Sequence, residues 1–252
     1  MIGRLGFLTL VAFMFAACTS AAERTELTVF AAASLGPVLD RLVPLYEAIH
    51  PGTSIVLATD SSATLRTQIE QGAPADVFLS ADTTNPQRLS DAGLTAGAPI
   101  PVAGNDLTVI VPLDNPAAID SARDLGNAGV RVIAAGDEVP ITRYTLEVVG
   151  NLGIEAAYRA NVASREDNVR AVVAKIELGE GDAAIVYATD ARGSAKVRAI
   201  EIPPTANVTA TYAGVVVGAS ERPAEARAFL DWLVSDDAQA ILADLGFSTP
   251  PA

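Results

Sequence analysis

Four short stretches of this chain place hydroxyl, amide or acidic side chains where an apolar run gives way to a helical pattern. Ser34 follows the run Leu27 to Ala31, and Ser61 with Ser62 follow the run Ser54 to Ala58. Pro140, Ile141 and Thr142 open a third helical pattern, and Glu166, Asp167 and Asn168 a fourth. A helix start presents backbone N–H groups without intrahelical partners and a partial positive charge, so it can hold an anion with no formal cation. Four such ends facing one cleft would suit a small oxyanion. Taken singly, each is also what an ordinary N-cap looks like, because Ser, Thr, Asp and Asn are the usual capping residues. Spacing along the chain does not show that the four converge.

Other chemistries fit less well. With one histidine, His50, and one cysteine, Cys18, the chain has too few ligands for a His/Cys zinc site, and Cys18 has no partner for an internal disulfide. A hydrolase built on Ser34 or Ser62 would have to draw its base from His50, which precedes Pro51 and Gly52 and reads as a turn residue. Asp76 and Asp82 bracket an apolar run and read as turn or capping residues before they read as an acid–base pair. Arg143 and Arg170 adjoin the third and fourth helix starts, where they could face an anion from a second layer or form surface ion pairs. Lys+Arg 17 against Asp+Glu 30 gives a formal charge of −13, which repels nucleic acid and anionic membrane surfaces. No cofactor is implied.

The elements that would carry these residues alternate. The chain has 252 residues, 50% of them hydrophobic, enough for one large domain or two modest lobes. After the first strand the residues 35, 38, 39, 42, 45, 46 and 49 mark a helical face, with Pro44 predicting a kink or break. Strands over 54–58 and 75–80 alternate with helices over 63–70 and 85–92. A second module opens at Asn105 with the strand 107–111, then a strand at 131–134, helices at 142–150 and 169–178, and a strand at 183–187. A strand at 212–217 and a helix at 224–233 close the pattern. Strand–helix alternation of this kind predicts α/β architecture with parallel pairing. The chain is expected to cross near Gly104 and return near Pro203, giving one lobe from 26–104 plus 205–252 and another from 105–204. Ahead of both, residues 1–22 read as a signal peptide, with Arg4 followed by the apolar stretch Leu5 to Ala17. Phe15-Ala16-Ala17-Cys18 resembles a lipobox, in which the signal would end at Ala17 and Cys18 would carry lipid; cleavage after Ala22 is the alternative. Both place the mature chain outside the cytoplasmic membrane.

Three segments in order carry a family resemblance: Phe30-Ala31-Ala32-Ala33-Ser34-Leu35, Ser61-Ser62-Ala63-Thr64-Leu65-Arg66, and Gly72-Ala73-Pro74-Ala75-Asp76-Val77-Phe78. The chain here is similar to the periplasmic molybdate-binding proteins of ABC importers. The likeness continues through Asn105-Asp106-Leu107, Val139-Pro140, Glu166 to Arg170 and Ile185-Val186-Tyr187 to Ala191, and so covers nearly all of the chain beyond the signal. It implies a two-lobed, type II periplasmic-binding-protein fold, each lobe a mixed, mostly parallel sheet flanked by helices, joined by a two-strand hinge. It also implies an oxyanion held by the hydroxyls of Ser34, Ser62 and Tyr187 and the backbone amides of Ile141 and Val169, with Ser61 as neighbour. Ile141 stands where the family often has alanine. The implied ligand is molybdate or tungstate, gripped through its oxygens with no bare metal cation. The implied partners are the permease and ATPase of an importer, and the chain is expected to be a monomer. Sulfate binding on the same scaffold and a serine hydrolase remain the alternatives.

Overall fold

The computed structural model describes residues 24–250, so the signal-peptide reading and Cys18 lie outside the described residues. The chain opens with β1 (Thr25–Ala32), a 3-10 turn (Ala33–Leu35), α1 (Gly36–Ile49), β2 (Thr53–Asp60), α2 (Ser62–Glu70), β3 (Val77–Ser80) and α3 (Thr84–Asp91). β1 pairs in parallel with both β2 and β3, and Leu27, Val29, Phe78 and Leu79 put their side chains into the core. Each of the three strands ends just before a helix or turn, so the loops carrying Ser34 and Ser61–Ser62 lie at the same edge of the sheet.

β4 (Ile100–Pro112) is the long strand of the molecule, with 13 residues. A second group of elements follows it: β5 (Val132–Ala135), α4 (Pro140–Asn151), α5 (Glu155–Asn161), β6 (Val162–Glu166), α6 (Val169–Glu177), β7 (Ala184–Tyr187), α7 (Ala188–Arg192) and β8 (Val197–Glu201). β9 (Thr209–Val216), α8 (Pro223–Leu233) and α9 (Asp236–Asp244) complete the chain. β9 inserts between β3 and β4, antiparallel to each. β4 pairs with β9 over residues 100–106, then changes partners and pairs with β7 over 107–110 and with β8 over 108–112. One strand therefore belongs to two sheets. β5 and β6 pair in parallel, and a bridge from Val132 to Ala183 joins them to the start of β7. This is a mixed α/β fold in two lobes. At Gly104 the end of the chain docks, with Gly104 N–H donating to the Ser248 carbonyl at 2.6 Å and Ser248 N–H returning the bond at 2.9 Å.

Two expectations need correcting. α1 runs through Pro44 without a break. Pro44 lies on the exposed side, so the carbonyl that loses its partner there faces water, which limits the cost. The strand expected at 107–111 is only the second half of β4. Its first half, Ile-Pro-Val-Ala-Gly-Asn-Asp, has weak strand propensity and is held extended by pairing with β9. α5, β6, α7, β8 and α9 carry no signal strong enough for the sequence reading. β6 is a half-exposed edge segment, and α7 has five residues.

Candidate functional site

The starts of α2, α4 and α6 meet the 3-10 turn after β1 around one small cavity. Its walls come from Ser34, Ser61, Ser62, Pro140, Val169 and Tyr187, and its volume is about 10 Å³. Three helix N-termini, with their partial positive charge, thus come together around one place, which spacing along the chain left open. Asp60 braces two of them, since its Oδ1 accepts from Ser61 N–H at 2.7 Å and from Asn168 Nδ2 at 3.2 Å.

Each expected residue has a definite place. Ser62 is almost fully buried, and its Oγ accepts from Ala81 N–H at 3.0 Å. That leaves its own hydrogen free to donate. Ser61 is the N-cap of α2, with its Oγ accepting from Thr64 N–H at 3.2 Å. Ser34, also buried, lies 2.9 Å from the phenol oxygen of Tyr212. Val169 is the first residue of α6, and its amide has no acceptor within the helix. Ile141 is the second residue of α4; its side chain packs in the core, while the neighbouring Pro140 and Val139 line the cavity. Thr142 faces away, with its hydroxyl donated to the Gly136 carbonyl at 2.8 Å.

Tyr187 ends β7 with its ring buried and its phenol oxygen without a hydrogen-bond partner. A buried hydroxyl left unpaired costs about 1–3 kcal/mol, so such groups call for an explanation. Burial raises its pKa well above the ordinary tyrosine value, so it keeps its proton and can only donate to an anion.

The two arginines divide. Arg170 lines a larger cavity of about 340 Å³ that shares Ser34 with the small one and also includes Thr189, Asp190 and Arg192. Arg143 is exposed and sits 4.3 Å above the ring of Tyr144, away from the small cavity. The carboxylates read as structural are so engaged: Asp76 accepts from Thr28 N–H at 2.8 Å and from Ser220, and Asp82 from Ser80 and Asn85. His50 stacks on Tyr46 at 4.1 Å, at the opposite end of α1 from Ser34. Three residues beside the site escaped the sequence reading as contributors: Asn105, Tyr212 and Asp190. An asparagine and a tyrosine amid strand residues were the available signals. Among the described residues no group of three or more His, Cys, Asp or Glu could hold a metal ion, and no helix is long and apolar enough to cross a membrane.

A two-lobed fold with a donor-lined cavity where helix starts converge is the form of a solute-binding protein. Residues 27–248 match the family model for bacterial extracellular solute-binding proteins, and the chain belongs to that family. The molybdate-binding protein ModA of Mycobacterium tuberculosis is 35% identical over 226 residues, 89% of this chain and 85% of that one. Among solved structures, the periplasmic molybdate-binding protein of Azotobacter vinelandii superposes with a TM-score of 0.78 at 22% identity, covering 89% of this chain and all of that one. The sulfate-binding protein SubI of Mycobacterium tuberculosis gives 0.77 at 22% identity, covering 89% of this chain and 86% of that one. The two structures bear on the fold alone.

Proposed function

We propose that this protein captures molybdate, with tungstate as a near equivalent, outside the cytoplasmic membrane and delivers it to the permease and ATPase of an ABC importer. The observation that carries the reading is the buried, unpartnered Tyr187 phenol in a cavity shared with three serines and three helix starts. A doubly charged tetrahedral oxyanion only accepts hydrogen bonds at neutral pH, and the cavity is lined by Ser34, Ser62, Tyr187 and Val169, whose hydroxyls and amide would donate to it, with the Ile141 amide next to the lining residue Pro140 as a further donor. Hydrogen bonds to charged groups contribute about 1.5–3 kcal/mol each, so several can offset desolvation and reach the ~8 kcal/mol of micromolar binding. Protonated phosphate would need an acceptor as well. The 35% identity to a molybdate-binding relative favours molybdate over sulfate, which presents the same four oxygens and two charges. Residues 26–104 with 205–252, and 105–204, would be the lobes that close on the anion.

Catalysis has little support, because His50 lies beyond a helix that spans about 21 Å from Ser34's end. Titration calorimetry tests the reading. Molybdate and tungstate should bind tightly in the presence of excess sulfate, and the Ser34→Ala, Ser62→Ala double variant should lose more than about tenfold in affinity. A protein blind to both metalates sinks the assignment.

A further inference from the structure

We propose that Asn105 and Tyr212 are positioning residues that fix the Ser34 hydroxyl as a donor toward the cavity and make that setting depend on the strands joining the lobes. The inference rests on the oxyanion reading of the site. Its basis is a chain of buried contacts. Asn105 and Tyr212 are both 0% exposed. The Asn105 amide nitrogen donates to Thr189 Oγ1 at 2.8 Å and to Tyr212 Oη at 3.3 Å, which occupies both its hydrogens.

Direction follows from counting hydrogens. Tyr212 Oη accepts from Asn105, and it has one hydrogen of its own to place. Its other partner is Ser34 Oγ at 2.9 Å. Tyr212 therefore donates and Ser34 accepts, since the reverse would leave the phenol hydrogen buried with no acceptor. The Ser34 hydrogen is then free for the ligand. Burial holds the Tyr212 pKa well above its ordinary value, so the phenol retains the proton that the relay needs. Presenting both amide hydrogens leaves Asn105 Oδ1 buried without a partner.

Placement couples this relay to the fold. Asn105 lies on β4 opposite Ala210 of β9, just before β4 turns to β7. Tyr212 is on β9, and Thr189 is on α7. A rotation of β4 against β9 or α7 would pull the amide from one of its acceptors and release the Ser34 hydroxyl from its setting.

A double-mutant cycle on the full chain tests this, read by calorimetry with molybdate, tungstate and sulfate. Tyr212→Phe keeps the ring packing against Tyr187 and Phe247, at 5.5 and 5.6 Å between centroids, and removes only the oxygen. It should weaken binding about five- to tenfold in the native background, and under about twofold in a Ser34→Ala background. Asn105→Asp supplies an acceptor, which would reverse the relay; its loss should likewise shrink once Ser34 is alanine. Equal losses in both backgrounds, or native affinity in both variants, overturn the proposal. Should Tyr212→Phe not fold, the Asn105→Asp cycle decides alone. If the native protein binds sulfate and neither metalate, the molybdate assignment falls while the cycle run with sulfate still judges the relay. Binding of none of the three overturns both.

Discussion

Asp190 shows at the scale of one residue how the site's surroundings act on charge. Its Oδ2 is buried without a partner, and desolvation raises its pKa to about 7 against the lowering effects of the Tyr187 amide and the Arg170 charge. In the unfolded chain the same carboxyl ionises near pH 4. Below about pH 4 it is protonated in both states. Between about 4 and 7 the folded protein keeps a proton that the unfolded chain has released, so stability falls as pH rises across that window. Above it the penalty is constant. Asp190→Asn should therefore raise the melting temperature at pH 7.5, by about 2–4 °C for each kcal/mol recovered, and change it little at pH 4. Melts across pH check this, and an equal shift at both ends would assign the effect to packing. Nothing in the sequence around Asp190 foretold this, because its shift comes from tertiary burial. Ser61 was legible as the cap of α2, since helix starts announce themselves by residue type, whereas Ser34 and Ser62 stand beside helix starts without capping them. Tyr187 was pointed to only by the family resemblance, because a tyrosine ending a strand looks the same whether or not its hydroxyl has a partner.

At the scale of elements, the apolar runs marked most strands well, while pairing partners decided the rest. The first half of β4 is extended because β9 and the end of the chain hold it. Gly104 is the tightest point of that arrangement. A Cβ there would meet the Thr249 carbonyl oxygen at 2.8 Å and Ser248 Oγ closer still. Gly104→Ala should destabilise the protein by about 1–3 kcal/mol, measured by denaturant unfolding, as the terminal segment is pushed off the strand. An unchanged midpoint would mean that the segment gives way freely. The same neighbours explain why the reading of a new module at Asn105 missed the strand's true start: a glycine, an asparagine and an aspartate in a row read as a break until a second strand is known to lie alongside.

At the scale of the whole molecule, a formal charge of −13 opposes the approach of any dianion. Raising salt from about 0.01 to 0.15 M shortens the screening length from about 30 to 8 Å. The association rate for molybdate should accordingly rise with salt in stopped-flow measurements. A rate that falls instead would show that the local field of Arg170 and Arg192 beside the cavity outweighs the net charge. The two-lobed form was legible from the order of strands and helices and from resemblance, whereas composition and length alone allowed one domain as readily as two. The insertion of β9 between β3 and β4 has a further bearing, on synthesis. The strand in the middle of the sheet is the last strand of the described residues to be made, so a growing chain holds two half-sheets with open edges until Thr209–Val216 emerges. Such edges pair with any strand that reaches them first. Timing, more than final stability, then governs whether a nascent copy folds or joins its neighbours in an aggregate.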